Sequence, residues 1–330
     1  MKELHEAYEE VIFGGRHKGD RTGTGTISRF GSYKEYDLFP NRLPLATGKK
    51  TNIKAIVREL EWFFRGETNI KTLDAKIWDE WADENGELGP IYGKQWRRWE
   101  DIKIASSPAE KEALSKLGFE CVLSDEETDT WVMRREIDQI AKIIDQLKND
   151  PDSRRIILSA WNVGDLEQMA LNPCHVLVQF YTQEATITER RMWLICTKYS
   201  GEMSYGDATA LDHEKMDEMG VPRRLLSCML YQRSGDMFLG VPFNIASYSI
   251  LTHLLAKECG MMPYEFHHVI GDAHVYSNHR EQVEQYLSLP THKCPTITFD
   301  EDTTLENFCF EKMHVHDYIH GPVFKAPVAV

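Results

Sequence analysis

The chain has 330 residues, 42% of them hydrophobic, and a formal net charge of -14 at pH 7. That length and apolar share suit a packed globular core and exclude global disorder. The acidic balance excludes a broad nucleic-acid or anionic-membrane face, which needs clustered Lys and Arg, so any anion must be captured locally. No run approaches ~18 apolar residues, and the N-terminal MKELHEAYEE lacks the basic start and apolar stretch of a signal peptide, so a soluble, non-exported protein is expected. Cys121, Cys174, Cys196, Cys228, Cys259, Cys294 and Cys309 form no CxxC pair, and neither a disulfide framework nor a zinc ribbon is suggested.

In chain order, the first strong periodicity covers Asn52 to Phe64. Ile53, Ile56, Val57, Leu60 and Phe64 share one helical face there, and Glu59 and Glu61 flank it on opposite borders. Asp101 to Asp129 is acidic and polar, with a short helical pattern from Glu110 to Leu117, and reads as a surface insertion. A helix is predicted from Arg135 to Lys148 on the row Ile137, Ile140, Ile144 and Leu147, stopped by Asn149-Asp150-Pro151. Short β-branched and aromatic runs predict strands at Ile156 to Ala160, His175 to Thr182 and Leu225 to Gln232. Gln183 to Pro222 has mixed charge and no sustained period, and reads as a second surface insertion. A last helix is predicted from Ser247 to Cys259, ended by Gly260 at the left-handed cap position. With no internal repeat and no low-complexity linker, one domain over 1–330 is expected, with insertions at about 101–129 and 183–222.

Four segments carry candidate chemistry. Asn172-Pro173-Cys174-His175 sits at the mouth of a predicted strand. Cys174 there is either a buried strand residue or a nucleophile, and neighbours on a strand point to opposite faces, so Cys174 and His175 form no dyad. Tyr231-Gln232-Arg233-Ser234 ends another strand with a guanidinium and a hydroxyl fit to grip a phosphate, and an Arg near Cys174 would favour its thiolate. Arg154-Arg155 suits either bidentate binding of a dianion or ordinary surface ion pairs. Asp20 to Thr26, DRTGTGT, has the look of a Gly-rich phosphate loop but lacks the third glycine of a dinucleotide fingerprint and the Lys-Ser/Thr of a P-loop.

In their order along the chain, DRTGTGT from Asp20, ELEWFFRGETNI from Glu59, IWDEWADENGELGPIYGKQW from Ile77, DSRRIILSAWNVGDLEQMALNPCH from Asp152, YQRSGDMFLGVPFNIASY from Tyr231, GDAHVYSNH from Gly271 and KAPVAV from Lys325 resemble thymidylate synthases. The resemblance implies an α+β fold with a mixed β-sheet flanked by helices, one sheet face forming a homodimer interface. It implies reductive methylation of dUMP to dTMP with 5,10-methylenetetrahydrofolate as one-carbon and hydride donor, no metal, and a cytoplasmic location, in a host cell if the source is viral.

By the same resemblance, Cys174 attacks C6 of the uracil ring, a case of nucleophilic catalysis by a thiolate. Arg21, Arg233 and Ser234 hold the nucleotide phosphate, with Arg154 and Arg155 donated by the partner subunit. Gln232 joins the substrate site, and Asn244 reads the pyrimidine edge, its one donor and one acceptor fitting O4 and N3–H of uracil. His274 and Tyr276, alternate residues of one strand, bind the deoxyribose hydroxyl. Glu59 organises proton transfers, and its seat on an apolar helix face should raise its pKa. Tyr92 and His175 extend that proton network. Asp236 binds the pterin ring of the folate, with Ile77, Trp78, Trp81, Leu171, Leu239, Gly240 and Phe243 as a stacking wall and Lys49 near the glutamate tail. Ala329 belongs to a C-terminal tail that closes over the complex and excludes water.

Two departures from the family pattern stand out. Glu61 replaces an expected apolar residue and could perturb the titration of Glu59, and Asn172 stands where Ala or Pro is usual. Two other readings compete: a dUMP hydroxymethylase of the same fold, in which water takes the place of hydride, and a non-catalytic nucleotide- or RNA-binding relative. Trp78 and the intact tail favour hydride.

Overall fold

Asn52 opens the clearest helix. Its side-chain oxygen accepts the Ala55 N–H at 3.2 Å, a cap worth about 1 kcal/mol, and the apolar stripe then buries Ile56, Val57 and Leu60. The computed structural model describes residues 1–125, 127–198 and 203–328. The first half runs α1 (Lys2–Gly14), β1 (Arg16–Lys18), β2 (Thr26–Asp37), α2 (Ile53–Phe64), α3 (Tyr92–Arg97), β3 (Trp99–Ala105), α4 (Pro108–Lys116), β4 (Glu120–Asp125), β5 (Thr130–Ile137) and α5 (Gln139–Asn149). The second half runs β6 (Ile157–Ser159), β7 (His175–Glu184), α6 (Ile187–Thr197), α7 (Tyr205–Thr209), α8 (His213–Glu218), β8 (Arg224–Asp236), α9 (Gly240–Glu258), β9 (Met262–Tyr276), α10 (Arg280–Leu287), β10 (Thr296–Phe299) and β11 (Met313–His316).

A mixed six-stranded sheet in the order β1-β2-β9-β8-β7-β6 organises the molecule. Its neighbours pair antiparallel except β8 and β9, which are parallel. A parallel pair needs a crossover, and α9 supplies it. That helix is buried from Ile245 to Ala256 on all sides, so it reads as hydrophobic without a polar face. Together with α1 and α2 it builds the core over one face of the sheet. The opposite face carries side chains that share one register, Ile157, Tyr181, Met229, Tyr231 and Tyr33, and all five are exposed.

Two expected helix boundaries need correction, and both expected insertions carry structure of their own. The helix placed from Arg135 starts at Gln139, because Asp138 caps it by accepting the Ala141 N–H at 2.9 Å, and Thr130–Ile137 is strand β5. The polar stretch 101–129 is folded: β3, β5 and β4 form a separate three-stranded sheet whose covered face packs Ala105, Phe119 and Met133 against α4. The stretch 183–222 continues β7 and then forms α6, α7 and α8 around Leu194, Met216 and Val221. The helix expected from Ser247 begins earlier, at Gly240, with Pro242 in its first turn, where a missing N–H costs nothing. No described helix is long and apolar enough to cross a membrane.

Candidate active site

Cys174 lies just before β7, half-buried. Tyr92, buried at the start of α3, holds that backbone: its hydroxyl accepts the N–H of Cys174 at 2.8 Å and of His175 at 3.3 Å. From the other side, the Arg233 N–H donates to the Cys174 carbonyl at 2.8 Å. The Arg233 guanidinium donates from Nε to the Pro173 carbonyl at 2.9 Å and from Nη2 to the Asn172 carbonyl at 2.7 Å. Burial pushes the Cys174 thiol above its ordinary value, and Arg233 only opposes that rise. Arg233 thus favours the thiolate, as expected, but desolvation outweighs it. Among the described residues no hydrogen bond joins Cys174 to the His175 ring, and His175 Nδ1 is buried without a partner. Burial lowers His175 to about 4, against a smaller opposing effect from the Asn244 amide.

The buried face of α2 delivers Glu59. Burial raises it to about 7, partly offset by Trp78 Nε1–H, which donates to Glu59 Oε1 at 2.8 Å. Trp78, expected as part of a stacking wall, therefore also orients the acid. Glu61 does not reach Glu59. Two residues along a helix point to nearly opposite sides, and Glu61 instead pairs with Arg58 at 2.9 Å and accepts the Phe310 N–H at 2.7 Å. The shift of Glu59 comes from burial and the Trp78 hydrogen bond, with no contribution from Glu61.

The loop before β2 is organised by Asp20, which accepts the N–H of Thr22 at 2.6 Å and that of Gly25. Gly23 and Gly25 adopt φ of 73° and 78°, which explains the glycines of DRTGTGT without a phosphate-loop fold. Arg21 is exposed on this loop. Register places Thr26 opposite Tyr276, Ser28 opposite His274, and His274 opposite Asp236, so Arg21, His274, Tyr276 and Asp236 meet at one end of the sheet. The Tyr276 phenol registers this convergence: burial raises it, Asp236, Asp20 and Cys174 add to the rise, and Arg21 opposes it. His274 loses to burial but gains more from Asp272 and Asp236, and stays raised overall. Arg154 and Arg155 are exposed at the start of β6, whose Ile157 pairs with Gln179, five residues along β7 from Cys174 or roughly 16 Å at strand rise.

Asn244 emerges from the start of the second turn of α9, buried, its Oδ1 accepting Gln232 Nε2–H at 3.1 Å. Gln232, expected at the substrate, is itself buried behind Asn244, and Ser234 beside it is half-buried. Asp236 Oδ1 accepts the N–H groups of Phe238 at 2.9 Å and Leu239 at 3.2 Å. Ile77, Trp81, Leu171, Leu239, Gly240 and Phe243 are half-exposed, the five apolar side chains among them packing against the main core, with the Trp81 Nε1–H left without a partner. Lys49 is buried, its Nζ on the Phe238 carbonyl and 4.0 Å from the Phe238 ring centre, and burial lowers it to about 8. The tail reaches this region: His279 Nε2 lies 2.7 Å from the Pro327 carbonyl, while its Nδ1 lies 3.8 Å from Asp236. Ala329 falls outside the described residues.

Sequence reasoning missed His268, His279 and the structural part played by Asp20. His268 had a readable signal, since it shares the strand parity of His274 and Tyr276.

Cys174 and Glu59 lie about Tyr92, and Asn244 lies beside His175; family comparison places a chain with this site among the methyltransferases of nucleotide biosynthesis. The family model for thymidylate synthase matches residues 2–330, and the chain belongs to that family. Its members in general bind dUMP and depend on folate. Among the described residues no cluster of three or more His, Cys, Asp or Glu is placed to hold a metal ion.

Proposed function

We propose that this protein converts dUMP to dTMP, taking both carbon and hydride from 5,10-methylenetetrahydrofolate and releasing dihydrofolate. The observation that carries the reading is the meeting of Cys174, Tyr92 and the Glu59–Trp78 pair with Arg233, His274, Tyr276 and Asn244 at one end of the sheet.

Arg21, Arg233 and Ser234 bind the phosphate of dUMP, and His274 with Tyr276 takes the deoxyribose hydroxyl. Asn244 holds the pyrimidine edge while Cys174 Sγ adds to C6 and pushes an electron pair onto C5. Glu59, near neutrality in pKa, can both give and take a proton around O4 and C5. Once C5 has been substituted, loss of its proton would release the transferred carbon from the folate as an exocyclic methylene, and hydride added to that carbon would supply the electron pair that breaks the S–C6 bond and restores Cys174. The half-exposed apolar side chains of the expected stacking wall and the unpartnered Trp81 Nε1–H fit a flat, polar-edged ring system. The folate, when bound there beside Asp236, supplies the one-carbon unit and the hydride. Closing the tail over the site, anchored through Pro327 on His279, excludes water and so favours a methyl over a hydroxymethyl product.

Arg154 and Arg155 lie too far along the sheet to serve their own Cys174. The exposed face bearing Ile157, Tyr181, Met229, Tyr231 and Tyr33 supports a homodimer in which each chain lends this pair to the other.

The test is to incubate the purified protein with dUMP and methylenetetrahydrofolate and to follow dihydrofolate. Release by the native chain and none by Cys174→Ala is expected. Equal turnover by the variant contradicts the assignment, and no dihydrofolate from either points to the hydroxymethylase or the non-catalytic alternative.

A further inference from the structure

We infer that His268 is a positioning residue that braces the Gln232 amide, and through it the orientation of Asn244 and the preference for a uracil edge over a cytosine edge. The inference rests on the dUMP reading and extends it to a side chain behind the substrate site. His268 is 2% exposed, on β9, and its Nε2 lies 2.8 Å from Gln232 Oε1. Gln232 Nε2 donates to the Ser234 carbonyl at 2.9 Å and to Asn244 Oδ1 at 3.1 Å.

These contacts leave one consistent arrangement. A backbone carbonyl only accepts, so the nitrogen of the Gln232 amide must face Ser234. Gln232 Oε1 then faces His268 and requires a donor, which puts the ring proton on Nε2. Burial holds His268 down to about 3, so the ring is neutral and carries only that proton. The second Gln232 N–H meets Asn244 Oδ1 and fixes which end of the Asn244 amide is oxygen. Asn244 Nδ2 remains the donor for uracil O4, and the second lone pair of Oδ1 serves N3–H. Cytosine, with an amino group at C4 and a bare N3, needs the amide reversed. Reversal would set Asn244 Nδ2 against Gln232 Nε2–H, donor against donor. Removing His268 strands a buried acceptor on Gln232 and loosens the chain at its far end.

The experiment measures dissociation constants of dUMP and dCMP by calorimetry, without folate, for the native chain, His268→Leu and His268→Gln. Losing one buried hydrogen bond should cut the uracil-over-cytosine ratio about tenfold in His268→Leu, chiefly by weakening dUMP. The terminal amide of glutamine offers a donor at similar reach, so His268→Gln should stay within about twofold of native. If His268 acts through Gln232, adding His268→Leu to Gln232→Leu changes the ratio no further. A His268→Leu protein with native circular dichroism and an unchanged ratio, or with both nucleotides weakened equally, overturns the inference alone. A native chain that binds neither nucleotide removes the dUMP reading and this inference together.

Discussion

Glu59 ionises at a cost of about 3 kcal/mol, since burial raises it to about 7 and each pKa unit is worth about 1.4 kcal/mol. The sign for stability follows. A carboxyl raised in the folded state holds its proton where the unfolded chain has lost it, so stability falls as pH climbs from the ordinary carboxylate range to about 7. Glu59→Gln should abolish that part of the slope in urea titrations run across this window; an unchanged slope counts against the buried acid. Trp78→Phe removes the donor that favours the charged form, so the infrared carboxyl band of Glu59 should titrate at higher pH than in the native chain. A downward shift contradicts the Trp78 contact. Arg233 draws the Cys174 thiol down against burial, so Arg233→Gln should slow iodoacetamide alkylation of Cys174 several-fold at mildly alkaline pH. Cys174, Glu59 and Asn244 were legible because each sits in a long family string. For His268 only the strand face was legible; its role was not, because it passes through two amides whose contacts exist only once β8, β9 and α9 are packed.

The elements that sequence reasoning misplaced share a physical cause: weak or shared periodicity. Ile137 fits the apolar row of a helix that continues to Leu147, yet it closes strand β5, and only the Asp138 cap divides the two. The 183–222 stretch has no strong apolar stripe, but Thr186/Glu189 and Ser204/Asp207 are both capping boxes, a helix-start signal visible without any periodicity. Arg190 holds that lobe together. It is fully buried, 2.6 Å from Asp217, and donates to the Pro222 and Val221 carbonyls at 3.1 and 2.8 Å. Arg190→Met strands those acceptors, so amide exchange should speed up across 187–198 and 213–221 while α9 keeps its protection. Faster exchange in α9 as well would mean the lobe is not a separate unit of stability.

At the scale of the molecule, the mixed sheet was implied by the family resemblance, whereas its pairing order was not legible in the strand-like runs, because register depends on contacts distant in sequence. The exposed apolar side chains on one sheet face and the placement of Arg154 and Arg155 away from Cys174 both support the proposed homodimer. Mixing Cys174→Ala chains with chains carrying Arg154→Ala and Arg155→Ala should restore turnover that neither possesses alone, since a hybrid dimer owns one intact site. No recovery after subunit exchange, in a protein shown by gel filtration to be dimeric, contradicts shared sites. The fate of hydride bears most directly on the whole account. With methylenetetrahydrofolate deuterated at C6 and dUMP as substrate, mass spectrometry of the nucleotide should find a methyl group carrying one deuterium. A hydroxymethyl group free of deuterium, its oxygen drawn from labelled water, would contradict it.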